Sequence, residues 1–383
     1  MARALRVLLV SLLLGLGLQG GWARAEDPLT IREFTVDHEA MCDLTEQWTD
    51  ELLATHEPGT WAKMDFELTD AQLARLGLPS TDVLTSRRYP KPTLVTKDGR
   101  FIDVPVGELE AAMGRGRSGS GSSDSEPTVA TFGGTGCLGI RPGALLLLIS
   151  GGSIGWCSMA HVYGSAGGYD ISTAGHCGKT GDPATVIAGT GNRGDATGLV
   201  LLDFGHFAHS TDGGLGRDWA LIDIDPAYQS LVTPTMCVWG GPRGTYAKTG
   251  SLVGITVPRR VGLPSVTVTP DPTLAQTIVH YGHGAGVGAG GTPRAGEAIS
   301  CGSSHFMFSG AISPGDSGSG ANTVLGDTVG ANMQAAGIIT HIWIDSLMRS
   351  GIGIMGGTRA TQVSGTLANG QIVPYPIPIA GLP

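Results

Sequence analysis

Ser317 stands in the run Pro314-Gly315-Asp316-Ser317-Gly318-Ser319-Gly320, whose glycines let the backbone turn sharply and bring bare N–H groups against a reacting carbonyl. A serine hydroxyl is a weak nucleophile at neutral pH. It needs a base to take its proton and dipoles to hold the oxyanion it creates. His176, in Thr173-Ala174-Gly175-His176-Cys177, is the candidate base. Asp218 heads Asp218-Trp219-Ala220-Leu221-Ile222-Asp223-Ile224-Asp225, where a carboxylate opening a buried strand can accept from one imidazole nitrogen and leave the other for the serine. Asp203, closing Leu199–Asp203, is its rival; Asp223 and Asp225 alternate on one face of their strand and are expected at solvent. The N–H groups of Gly315 and Ser317 form the candidate oxyanion hole, in which each donor is worth roughly 3–4 kcal/mol. Together these groups could perform acyl transfer.

The elements that must position these groups begin after an export signal. Arg3 and Arg6 precede an apolar run from Val7 to Leu18, and Ala23-Arg24-Ala25 offers small residues for cleavage before Glu26, so residues 1–25 read as a signal peptide and the product as secreted. The run is too short for a span, which takes about 20 apolar residues, and no later stretch is long enough, so no membrane partner is expected. Six cysteines in an exported chain are expected to pair. From Glu26 to Glu126 there are 20 acidic and 10 basic residues, against 13 and 11 from Pro127 to Pro383; without a basic stripe, nucleic acid is excluded as a partner.

Within the acidic first part, Glu39–Leu53 and Thr69–Leu78 read as short amphipathic helices, the second with a capping box from Thr69 to Gln72. Extended segments follow around Pro92–Val95 and Phe101–Val104. Residues 114–127 are Gly/Ser-rich and read as a flexible linker open to proteolytic nicking. Beyond it, apolar or β-branched segments recur at Ala144–Ile149, Tyr169–Thr173, Leu199–Phe204, Trp219–Ile224, Thr235–Trp239, Ser251–Val257, Ser265–Thr269 and Gly337–Ile344, separated by Gly, Pro, Asn and Asp. With 62 glycines in 383 residues, this texture predicts an all-β sandwich or barrel pair, plus one helix from about Arg359 to Ala368. The Pro-punctuated tail Val373–Pro378 cannot be a central strand.

From about Phe132 to Ala368 the chain resembles the chymotrypsin-like serine peptidase family, in its secreted bacterial streptogrisin and α-lytic branch. The residues that carry this are Thr173–Cys177, Arg217-Asp218-Trp219-Ala220-Leu221 and Pro314–Gly318, in the family's order His, Asp, Ser. The resemblance implies two perpendicular six-stranded antiparallel barrels, about 128–230 and 231–370, with a C-terminal helix and the active site between them. It implies a Cys157–Cys177 bridge around the histidine loop, a second bridge from Cys237 to Cys301, and a small α+β propeptide at 26–113. That propeptide would be an intramolecular partner, acting as folding aid and inhibitor. Cys42 and Cys137 are left over, with several pairings open. The expectation is a monomeric endopeptidase with no cofactor and no metal, acting on protein or peptide substrates.

The substrate pocket departs from the better-known members. Six residues before Ser317, Ala311 occupies the expected pocket base, so cleavage after Lys or Arg is not supported. The wall run reads Thr340-His341-Ile342, and Ile342 in place of glycine would narrow the pocket towards small or apolar side chains. That altered wall motivates a second reading, a secreted binding protein with vestigial catalysis. An α/β-hydrolase is disfavoured, because Gly315–Ser319 lacks the final glycine of Gly-x-Ser-x-Gly and only His341 follows the serine. His206 with His209, and His280 with His283, read as solvated turns rather than a metal cluster, and His161 reads as structural.

Overall fold

The computed structural model of the chain describes residues 29–34, 37–114, 138–150, 152–165, 167–236, 240–252, 256–257, 266–267, 271, 273–282, 292–324, 333–364 and 371–372. The expected signal peptide (1–25), the expected linker (114–127) beyond Gly114, and the tail after Ile372 lie outside the described residues.

The N-terminal unit comprises β1 (Thr30–Arg32), α1 (His38–Thr55), β2 (Trp61–Lys63), β3 (Glu67–Leu68), α2 (Asp70–Arg75), α3 (Thr81–Thr85), β4 (Thr93–Thr96), β5 (Phe101–Asp103) and α4 (Val106–Ala112). Asp37 caps α1 by accepting from the Ala40 N–H at 3.0 Å. The capping box of α2 is present: Thr69 Oγ1 accepts from Gln72 N–H, and Gln72 Oε1 accepts from Thr69 N–H. This helix stops at Arg75, short of the expected Leu78, because Gly77 takes a left-handed φ of 76° and ends the turn.

The first barrel contains β6 (Leu145–Ser150), β7 (Ser153–Ser158), β8 (Val162–Ser165), β9 (Gly168–Thr173), β10 (Pro183–Arg193), β11 (Ala196–Asp212) and β12 (Asp218–Ile224), hydrogen-bonded in the order β8-β9-β12-β11-β10-β6-β7. Three residues join the two ends of this path, β7 and β8. The rest of the chain contributes β13 (Gly250–Ser251), β14 (Thr256–Val257), β15 (Val266–Thr267), β16 (Thr277–Gly282), β17 (Thr292–Cys301), β18 (His305–Ala311), β19 (Gly320–Val324), β20 (Gln334–Trp343), β21 (Ile352–Arg359), α5 (Ala360–Ser364) and β22 (Gln371–Ile372). Here β17-β16-β19-β20-β21-β18 form a ring that closes where β18 pairs back to β17. The architecture is thus an all-β double barrel with a short helix near its C-terminus, as expected. Arg359 belongs to β21 rather than to the helix, and residues 365–370 lie outside the described set.

The run of leucines in β6 is explained by burial on both faces. Leu146 points into the barrel with Val186, Val200 and Leu202. Leu145 and Leu147 point outward, yet both are buried, because Leu73, Leu76, Leu84 and Tyr89 of the N-terminal unit cover them together with Trp156, Ile187, Leu199 and Leu201. Each fully buried leucine contributes about 1.5–3 kcal/mol relative to exposure. The N-terminal unit is therefore not a separate body on a tether. Its strands extend both barrels: β1 pairs with β10, β4 with β11, β3 with β7, and β2 with β20. Asp203 serves this junction, accepting from Tyr89 N–H at 2.7 Å, Arg88 Nε at 3.0 Å and Thr185 Oγ1 at 2.6 Å.

Of the expected disulfides, Cys157–Cys177 is formed. Cys237–Cys301 is corrected: Cys301 is a free, buried thiol, and Cys237 lies outside the described residues. Cys301 ends β17 inside the second-barrel core, where burial pushes its thiol pKa up and Arg359 only partly opposes this. A thiol packed in that core is inert rather than reactive. Cys42 is an exposed residue of α1, and Cys137 lies outside the described residues.

Candidate active site

Three elements from both barrels bring the candidate groups together. His176 sits in a single 3-10 turn, Gly175–Cys177, directly after β9 and tied to β7 by the disulfide. Asp218 is the first residue of β12, Ser317 lies in the loop between β18 and β19, and both are fully buried. Asp218 Oδ2 faces His176 Nδ1 at 2.6 Å, while its Oδ1 accepts the N–H groups of Gly175 at 2.6 Å and His176 at 3.1 Å. The carboxylate thus fixes both the ring and the turn that carries it. His176 Nε2 is hydrogen-bonded to Ser317 Oγ. Thr358 of the second barrel holds Asp218 from behind, accepting its N–H at 3.0 Å and donating to its carbonyl at 2.8 Å.

The serine loop is built from two consecutive turns. Asp316 N–H donates to Ser313 carbonyl at 3.3 Å around Pro314 and Gly315, whose φ of 85° is that of the third residue of a type II turn. Ser319 N–H donates to Asp316 carbonyl at 2.9 Å around Ser317 and Gly318, φ 87°. A Cβ at Gly318 would lie 2.1 Å from the Ser158 carbonyl oxygen, so no other residue fits. Ser158 clamps the loop twice: its Oγ donates to Gly315 carbonyl and its N–H to Ser317 carbonyl, each at 2.7 Å. Between the two turns, Asp316 is fully buried and takes both terminal nitrogens of the buried Arg294.

Burial pulls the His176 pKa down, but the hydrogen bond and charge of Asp218, joined by the charge of Asp65, outweigh it, and the net shift is upward from 6.5. For Asp218, burial acts upward and the His176 hydrogen bond and charge prevail, lowering it from 3.8. A base must be neutral to accept a proton, so hydrolysis by this site is expected to rise with pH through a midpoint above 6.5, measured as the acidic limb of kcat/KM. Stability runs the other way. The raised pKa stabilises the fold fully below the unfolded histidine value, and this contribution is lost as pH rises through the folded value. The Asp218 contribution is present above its unfolded value and lost as pH falls through the lowered one.

The pocket residues are placed as follows. Thr340, His341 and Ile342 lie on β20, all buried. Ile342 clusters with Ile312, Met355 and, from the N-terminal unit, Met64. Ala311, half-buried, ends β18 opposite Ile352, and the next residue, Ile312, joins that cluster in its place. His341 Nδ1 is hydrogen-bonded to Thr340 Oγ1 at 2.7 Å and lies 3.8 Å from Asp218 Oδ2; its pKa is lowered, by burial first.

The remaining histidines stand apart from this site. His161 bridges the barrels through Nε2 to Asn322 Oδ1 at 3.1 Å, and burial pushes its pKa down to about 4. His209 stacks on Trp219, His206 is exposed on the same strand, His280 is buried in β16, and His283 lies outside the described residues. Cys157, His176 and Cys177 cluster closely, but the disulfide consumes both thiols as metal ligands. Sequence reasoning did not single out Ser158, Arg294, Thr358, Met64 or Asp65. Only Arg294 had a signal: an aspartate beside a buried serine needs a cation.

Solved structures similar to this chain are bacterial serine proteases. Protease A of Thermobifida fusca is 20% identical, with a TM-score of 0.36, covering 62% of this chain and 99% of its own. The Nocardiopsis protease is 17% identical, with a TM-score of 0.30, covering 60% and 96%. A glutamic acid-specific serine protease that uses a histidine triad in substrate binding is 14% identical, with a TM-score of 0.34, covering 61% and 100%. No family profile matches the chain, and no curated protein does. Among the described residues no helix is long and apolar enough to cross a membrane.

Proposed function

We propose that the chain is a secreted serine endopeptidase. The observation that carries this is the continuous chain of hydrogen bonds from buried Asp218 through His176 to Ser317 Oγ. Ser317 Oγ attacks a peptide carbonyl while His176 Nε2 takes its proton, and Asp218 stabilises the imidazolium through Nδ1. The N–H groups of Gly315 and Ser317 receive the oxyanion. His176 then protonates the leaving amine, and water admitted by the same base releases the acyl group. Residues 1–25 are the signal peptide, 26–113 the propeptide, 114–127 the linker and 128–383 the peptidase domain, acting as a monomer on protein or peptide substrates. The apolar surroundings of Ile312 and Ile342 favour apolar side chains before the cut.

A fluorophosphonate probe tests this reading, because it phosphonylates only a serine that is activated, with loss of fluoride. The linker-cleaved protein is expected to label at one site, and Ser317→Ala to abolish the labelling. A wild-type protein that stays unlabelled even on prolonged incubation would favour the vestigial binding reading instead.

A further inference from the structure

The N-terminal segment from Gly59 to Leu68 runs straight across the candidate active site. On one side, β2 pairs antiparallel with β20, setting Ala62 opposite Ile342 and Lys63 opposite His341, and Met64 N–H donates to Thr340 carbonyl at 3.1 Å. On the other side, Trp156 N–H donates to Phe66 carbonyl at 3.2 Å, and β3 pairs antiparallel with β7 from Glu67 onward. Both flanks are thus held as added strands, the way a sheet edge takes an extended peptide. The Met64–Asp65 junction lies between these flanks, beside His176. The Met64 side chain is fully buried among Ile312, Ile342 and Met355, filling the pocket that Thr340 and Ile342 wall. Asp65 Oδ1 lies 3.2 Å from His176 Nε2, the same nitrogen that faces Ser317. The Asp65 carbonyl is held by Trp48 Nε1 of α1 at 3.2 Å.

The geometry points to residues 61–68 as a resident substrate mimic, in which Met64 reports the enzyme's primary specificity and Asp65 keeps the Met64–Asp65 bond from being cut. This inference rests on the peptidase reading and deepens it. The substrate class is an extended peptide with an unbranched apolar side chain of methionine size before the cut and an apolar side chain two residues beyond it. The negative charge of Asp65 beside Nε2 favours the protonated imidazole, which is not free to take the proton of Ser317. Without that carboxylate the same strand becomes a substrate. Ser317 Oγ bonds to the Met64 carbonyl carbon, and its proton passes by way of His176 to the Asp65-position nitrogen as the C–N bond breaks. One water then frees the Met64 carboxylate.

The test uses the full chain, with intact-mass analysis and fluorophosphonate labelling of variants that melt cooperatively. Asp65 is an exposed side chain, so Asp65→Ala leaves the packing alone. It is expected to yield fragments ending at Met64 and to label about 10- to 100-fold faster than wild type, the effect of removing one neighbouring charge from the imidazole. Met64→Asp with Asp65→Ala cannot seat a charge in the apolar pocket; it is expected to label but not to be cut there. Adding Ser317→Ala to Asp65→Ala is expected to leave the chain intact. If Asp65→Ala labels but is not cut after Met64, or if wild type is cut there as fast, the inference is overturned while the peptidase reading stands. If neither Asp65→Ala nor the Met64→Asp double variant labels, the peptidase reading falls, and the inference falls with it.

Discussion

Replacing Ser317 by alanine is expected to lower hydrolysis of a loosely folded protein substrate by about 10⁴- to 10⁶-fold, because the nucleophile and its base act as one unit. His176→Ala should cost about as much, and the double variant little more. Assays on the linker-cleaved protein would show this as a collapse of kcat rather than a rise in KM, since neither side chain holds the substrate before the reaction begins. The thermal midpoint should stay close to wild type: removing Oγ deletes one hydrogen bond and leaves the two turns of the serine loop intact. A drop of less than tenfold in kcat would show that the reaction does not pass through Ser317.

Arg294→Met is expected to destabilise the fold by about 3–5 kcal/mol, because it removes the guanidinium that balances the Asp316 charge in a fully buried place. For a domain of this size that corresponds to a fall in thermal midpoint of roughly 10 °C. Activity should fall with it, since Asp316 lies between Gly315 and Ser317, the two residues proposed to receive the oxyanion. The double variant Arg294→Met with Asp316→Asn should recover much of the stability, because a neutral amide is far less costly to bury than a carboxylate. Thermal melts of the three proteins decide this. A single variant within about 1 kcal/mol of wild type would show that Asp316 is not held by Arg294.

Much of the candidate site was legible before folding because its chemistry is local. Gly315 and Gly318 are required by turns that span four residues each. Asp218 is marked by being a polar residue at the head of an apolar strand. Asp203 and Asp218 look alike in sequence, each lying at one end of an apolar run; what separates them is that Asp203 falls in the middle of β11 and meets the backbone and side chains of Arg88, Tyr89 and Thr185. Strand β10 escaped notice because Pro183, Gly189 and Gly191 break its pattern, and pairing with β1, β6 and β11 makes it extended.

By itself, the sequence determined which groups could react, the order in which they lie, and that short strands would carry them, since turn geometry and period-2 burial are written in neighbouring residues. Tertiary structure decided the rest. Cys301 is a core thiol rather than half of a disulfide, because its pairing depends on where another strand ends and not on cysteine order. The acidic N-terminal segment is sewn into both barrels, because the outward leucines of β6 need a cover that no local pattern names. Met64 and Asp65 carry no motif at all. They meet Ile342 and His176 only because two strands, separated by more than two hundred residues in sequence, find each other's edges.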